Sequence, residues 1–139
     1  MIPSAAVDHY LARELDDHRW IKTLTREEVD DLMAQLRPRP RISPRLRLHQ
    51  RACFVLGVAH PKMCLYLDMG SGKSVLALEL LRYWFDVGKI RRALIFATSD
   101  KAYPTWERQF SEFDIDLPHA SLDGSSADKW CALRELGDG

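Results

Sequence analysis

The sequence predicts an α/β fold in which part of a P-loop parallel sheet is flanked by helices and preceded by a short helical extension. Three observations carry that expectation. Residues 69–74, Met-Gly-Ser-Gly-Lys-Ser, have the glycines, lysine and hydroxyl of a phosphate-binding loop. An apolar run at 63–67 enters this loop and a strongly apolar stretch leaves it, as a strand–loop–helix setting requires. A second apolar run follows at 92–97, continuous rather than alternating, as a strand buried on both faces of a parallel sheet would be.

Each element has its own signal. Residues 7–20 set Tyr10, Leu11, Leu15 and His18 on one side of a helix and Arg13, Glu14, Asp16 and Asp17 largely on the other. Thr25 with Glu28 three residues on is a capping box, and Val29, Leu32, Met33 and Leu36 follow at helical spacing, so a second helix is expected to about Leu36. Pro38, Pro40 and Pro44 stop its continuation and predict an extended connector. Residues 46–59 predict a helix with Leu48, Ala52, Val55, Leu56 and Ala59 on one face. After the loop, Val75 to Phe85 is apolar nearly all round, with Gly88 as a C-terminal stop, which predicts a helix covered on more than one side. Strand, loop, helix and strand then make a right-handed βαβ unit. Pro104 suits the first turn of a further helix with Trp106, Phe110 and Phe113 on one face. Residues 119–122 are a short strand candidate and 127–136 a last helix.

The loop states its chemistry most directly. Gly70 and Gly72 have no Cβ, so the backbone can turn with positive φ and aim successive N–H groups at an anion. Lys73 can reach β- and γ-phosphates, Ser74 offers a hydroxyl for Mg²⁺, and the helix that follows points its N-terminal amides and dipole the same way. Gly-x-Gly-Lys-Ser/Thr arises by accident in roughly one chain in a few hundred of this length. The pattern is incomplete at one place: Leu67 stands where the full motif has its first glycine.

Composition limits the partners. The chain has 139 residues, enough for one core-bearing unit and not for two. Its formal net charge is zero, so attraction to nucleic acid has to be local. The local candidate is Arg37, Arg39, Arg41, Arg45, Arg47 and Arg51, with no acidic residue between Arg37 and Asp68. They are either a phosphate-contacting strip or a solvated linker balancing Glu27, Glu28, Asp30 and Asp31. Cys53, Cys64 and Cys131 lack metal-ligand spacing and read as reduced packing residues. A start without a signal-peptide pattern, and no apolar run near the ~20 residues of a membrane span, lead to the expectation of a cytoplasmic protein with no membrane partner. Taken alone, Gln50 is an exposed helix residue or an adenine reader, and His49 and His60 have no identifiable partner.

Arg45-Leu-Arg-Leu-His-Gln50, Leu67-Asp-Met-Gly-Ser-Gly-Lys-Ser74, Ala93-Leu-Ile-Phe-Ala-Thr-Ser99 and Trp106-Glu-Arg-Gln-Phe110 together resemble the opening of the first, RecA-like lobe of superfamily-two helicase-like ATPases, most of all the Swi/Snf-type DNA translocases. The resemblance implies that Gln50 reads adenine. It implies ATP and Mg²⁺ as cofactors, bound by Met69, Gly70, Ser71, Gly72, Lys73 and Ser74, with Lys73 as the catalytic lysine and Ser74 as the Mg²⁺ ligand. It also accounts for Leu67, since that family's loop typically reads Asp-Met-Gly-x-Gly-Lys-Thr. Thr98 and Ser99 fall where the family contacts DNA, although this chain has Ala97-Thr98-Ser99 in place of the usual Ala/Cys-Pro.

The implied organisation is residues 1–44 as extension and basic Pro/Arg linker, with 45–139 as an incomplete ATP-binding lobe. The resemblance covers roughly 45–136 and includes neither the Asp-Glu box nor the second lobe with its arginine finger. Asp123 has no acidic neighbour and follows a poor strand, so it is not taken as the metal-holding carboxylate. The expectation is therefore an ATP-binding part of a DNA-dependent ATPase, a fragment inactive by itself, with double-stranded DNA and a separate chain carrying the rest of the motor as partners. Alternatives are a P-loop kinase or GTPase-like switch using Asp123, and a non-catalytic DNA- or partner-binding module in which Arg37, Arg39 and Arg41 do the binding.

Overall fold

A computed structural model of the chain describes residues 23–61, 67–96 and 103–136. The expected helix at 7–20 lies outside them. The described elements are five helices: α1 (Arg26–Gln35), α2 (Leu48–Ala59), α3 (Lys73–Asp86), α4 (Tyr103–Glu112) and α5 (Ser126–Glu135). Consecutive helices pack on one another from α1 through α4. No helix among the described residues is long and apolar enough to cross a membrane.

The expected α/β parallel sheet is corrected by this finding: the described residues contain no strand. Of the first strand candidate only Leu67 is described, and it is not in a strand. Residues 92–96 are non-helical and exposed, with Phe96 87% accessible, and residues 119–122 are likewise not in a strand. The physical reason lies in what an apolar run can specify. Five or six apolar residues fix a preference for burial, but a strand exists only through ladder partners, and even a lone pair of strands is marginally stable in water.

The helices begin where local chemistry directs. At α1, Thr25 Oγ1 accepts the Glu28 N–H at 3.3 Å and the Glu28 carboxylate accepts the Thr25 N–H at 2.7 Å, a complete capping box. That hydrogen bonding holds the Glu28 carboxyl below its usual range. The Arg37 guanidinium folds back on the other end, donating to the Leu36 carbonyl at 2.8 Å and to that of Ala34.

One core joins the first three helices. Val29, Leu32, Met33 and Leu36 of the α1 segment meet Ala52, Cys53, Phe54, Val55, Leu56 and Val58 of α2, and Leu76, Leu80 and Tyr83 of α3. Helix α2 is the centre: Phe54 is completely buried and meets Tyr83 edge to face, ring centroids 5.7 Å apart. The α2 backbone approaches α3 so closely that a Cβ on Gly57 would lie 2.6 Å from a methyl of Leu80, itself buried. Burial also pushes the Cys53 thiol up, while Cys131 is exposed; both are free thiols.

The connector is bound to α3 along its length. Tyr83 Oη donates to the Arg37 carbonyl at 3.3 Å, and Arg82 donates to the carbonyls of Arg41 and Asp114. The Ser43 N–H donates to the Glu79 carboxylate at 2.9 Å. Arg41 forks onto Asp86 at 2.8 and 3.1 Å and reaches Asp116 at 3.0 Å, and Arg45 donates to the Glu112 carbonyl at 2.7 Å. The proline-broken stretch is thus a belt across α3.

Candidate functional site: the glycine loop and its support from helix α2

The loop 67–74 takes the backbone course its glycines suggested. Gly70 has φ 77° and Gly72 φ 84°, both in the left-handed region that disfavours side chains. Ser71 N–H donates to the Asp68 carbonyl at 3.2 Å, closing the turn, and Gly72 is the N-cap of α3 with Lys73 its first residue. A glycine cap has no side chain to satisfy the first N–H groups of the helix, which have no intrahelical acceptor either. They are left to face an anion. The mouth of the loop is open: a Cβ on Gly70 would meet nothing within 4 Å, and Met69 at the tip is 99% exposed.

Lys73 lies across the loop. Its Nζ donates to the carbonyls of Leu67 at 2.7 Å and Asp68 at 3.0 Å. The ammonium is thereby tethered to the start of the loop by neutral oxygens, which a phosphate oxygen, as a charged acceptor, can displace. Ser74 is half-buried one residue into the helix. Ser71 Oγ is buried without a hydrogen-bond partner, an orphaned polar group in the loop itself.

Gln50 packs directly beneath. It sits in the first turn of α2 and is only 6% exposed. Its Oε1 accepts the Arg47 N–H at 2.7 Å, which fixes the start of α2, and its Nε2 donates to the Ser71 carbonyl at 2.9 Å. The neighbouring His49 places Nε2 3.2 Å from the same carbonyl. A Cβ on Gly72 would fall 2.1 Å from Gln50 Nε2, so a side chain there would have to displace the Gln50 amide besides adopting a strained φ. The contact between residue 50 and the loop is therefore real in this fold, although the Gln50 amide is turned inward on the loop.

The chemistry of these residues fits a triphosphate: two left-handed glycines, uncapped helix amides and one cation held only by carbonyl oxygens lie in one loop. For Mg²⁺ they offer the Ser74 hydroxyl alone, and the described residues include no cluster of three or more His, Cys, Asp or Glu side chains that could hold a metal. Mg²⁺ needs few protein ligands when substrate phosphates and water complete its octahedron, so one hydroxyl is compatible with it. Asp123 accepts the N–H of Gly124 at 2.7 Å in the turn before α5.

The arginine strip is largely engaged within the chain. Arg37 caps α1, Arg41 pairs with Asp86 and Asp116, and Arg45 holds Glu112. Arg51 pairs with Asp30 at 2.7 Å, one of the acids expected to balance the strip. Arg39 is exposed. Thr98 and Ser99 lie outside the described residues. A cleft of about 780 Å³ between the belt and the α4 turn includes Arg41, Arg45 and Arg82, but no residue of the glycine loop.

Two buried charges on the loop's own helix escaped the sequence reading. Glu79 is completely buried and Arg82 is 6% exposed; they pair across one turn of α3. Burial raises the Glu79 carboxyl above its usual range, opposed by the Ser43 N–H and by Arg82. The available signal was an acid and a base at i, i+3 inside a helix otherwise apolar all round.

Comparison of the chain with protein-family models, with curated proteins and with solved structures returned no match.

Proposed function

We propose that this chain binds ATP with Mg²⁺ through the loop 67–74, as the nucleotide-binding part of a helicase-like, DNA-dependent ATPase. The observation that carries the reading is the loop: left-handed Gly70 and Gly72, the uncapped start of α3 and the Lys73 ammonium all belong to one short exposed turn. In this reading the amides of Gly70 to Ser74 hold the β-phosphate region, and Lys73 exchanges the Leu67 and Asp68 carbonyls for phosphate oxygens. Ser74 supplies the protein ligand to Mg²⁺, and Gln50 borders the site on the α2 side. Bound there, Mg²⁺ would supply neutralisation of the phosphate charge. Double-stranded DNA, and a second chain supplying the rest of the motor, are the partners proposed on the sequence resemblance.

Turnover needs two further groups, a carboxylate that positions metal and water and a cation facing the leaving phosphate. Neither is identifiable in these residues, so the isolated chain is expected to bind ATP weakly and to hydrolyse it little. Titration with a fluorescent ATP analogue tests the reading: binding should require Mg²⁺, favour adenine over guanine and vanish in Lys73→Ala. Equal binding by Lys73→Ala would refute it, and a strong guanine preference would favour a GTPase-like switch instead. DNA-stimulated hydrolysis that depends on Lys73 would overturn the expectation of low turnover while retaining the site.

A further inference from the structure

We infer that His49 and Gln50 are positioning residues for phosphate, acting through the Ser71–Gly72 peptide group rather than through the base. The inference rests on the phosphate-binding reading of the loop.

The geometry is specific. The Ser71 carbonyl receives Gln50 Nε2 at 2.9 Å and lies 3.2 Å from His49 Nε2, so adjacent residues of one helix converge on a single oxygen. A carbonyl oxygen has two lone pairs and can accept both. His49 donates when Nε2 carries the proton. The peptide bond from Ser71 to Gly72 is trans, and in a trans peptide the C=O and the following N–H point in opposite directions. Anchoring the carbonyl towards α2 therefore turns the Gly72 N–H away from α2, into the open side of the loop. Gly72 is the N-cap of α3, so its amide is the first of the series available to an anion.

Without the anchor, this peptide has unusual freedom. On one side it adjoins Gly72, with φ 84°, where rotation meets little steric resistance, and a flip would present a carbonyl oxygen to phosphate in place of an N–H. The two donors remove that alternative before the ligand arrives. Gln50 is itself fixed, because its Oε1 holds the Arg47 N–H while its Nε2 holds the loop. The missing Cβ at Gly72 gives the amide room, since a methyl there would overlap Gln50 Nε2.

The experiment measures Mg²⁺-dependent binding of inorganic tripolyphosphate and of ATP to the full chain by calorimetry. Gln50→Glu keeps the oxygen that caps α2 but sets a carboxylate against the Ser71 carbonyl. Both ligands should weaken by the same factor, about tenfold. His49→Ala should weaken both about three- to tenfold, and His49→Gln, which restores a donor of similar reach, should recover most of the loss. Thermal unfolding of each variant establishes that it is folded; if Gln50→Glu is not, the exposed His49 pair of variants decides. Loss of ATP binding with tripolyphosphate binding intact overturns the inference, because it places the effect on the adenine. Wild-type affinity for tripolyphosphate in His49→Ala and folded Gln50→Glu, with binding lost in Lys73→Ala, overturns the inference and leaves the phosphate site standing. A wild-type chain that binds neither ligand overturns both.

Discussion

The two ends of the described chain make opposite use of similar material. From Leu24 to Val87, apolar side chains of three helices close over one another, and Val29, Leu36, Phe54 and Leu76 have no solvent access at all. From Ile90 to Leu136, apolar residues are as easy to find, yet among those described only Ile115 is buried, while Phe96, Trp130 and Leu94 are mostly exposed. Helix α5 forms through its own cap: Ser125 N–H donates to the Asp128 carboxylate at 2.8 Å and Ser125 Oγ accepts the Asp128 N–H at 3.3 Å. Local chemistry can start a helix; only packing secures it, since isolated helices shorter than about 12–15 residues are marginal in water. The glycine loop belongs to the secured half, bracketed by α2 and α3.

This contrast can be broken by substitution. The largest effect is expected for Phe54→Ala, which empties the middle of the shared core and should lower unfolding free energy by about 3–5 kcal/mol in a denaturant titration. An effect under about 1 kcal/mol would mean that the first half is no better packed than the second.

Arg82→Met should destabilise by about 3–5 kcal/mol at neutral pH, because it leaves the Glu79 carboxylate buried opposite nothing but the Ser43 N–H. Its pH dependence has a fixed sign. The folded-state value of Glu79 is already raised above its ordinary 4.5, and losing the arginine raises it further. The associated stability is then full below about 4.5 and is lost as pH rises through the folded value, so the variant should recover towards wild type in acid. A deficit that persists unchanged across that window would show that Arg82 acts by packing alone.

At the small end, Trp130→Ala should move stability by no more than about 0.5 kcal/mol, since the ring is 66% exposed. A loss of several kcal/mol would reveal that α5 is packed after all.

What was legible in the sequence follows the same division. The start of α1 was readable because its cap is a few adjacent residues, Thr25 with Glu28, whereas α3, expected after the loop from Val75, begins earlier, at Lys73 inside the motif. The loop's backbone was readable because only glycine tolerates the conformations needed. Gln50 gained its place from a resemblance, and no local pattern would have set its amide on the Ser71 carbonyl, a contact spanning 21 residues. The sheet was misread because residues 92–96 carry the composition of a buried strand without specifying any neighbour. The arginines were ambiguous for the same reason: Asp86 and Asp116, which Arg41 engages, are 45 and 75 residues away.

The belt over α3 implies where this chain can drift in sequence. Its fastenings at Arg37, Arg41 and Ser43 use two carbonyls and one N–H, atoms that almost any residue carries, whereas the gripping groups are the side chains of Tyr83, Arg82 and Glu79. Among natural variants, the exposed Arg39 should therefore be interchangeable, and position 43 should accept any residue that keeps its amide, which excludes proline. The three helix positions should change rarely, and Glu79 and Arg82 together when they do. Much of the path of the connector is encoded on the helix it crosses, so mutational silence at Arg39 would be no sign that the belt is slack.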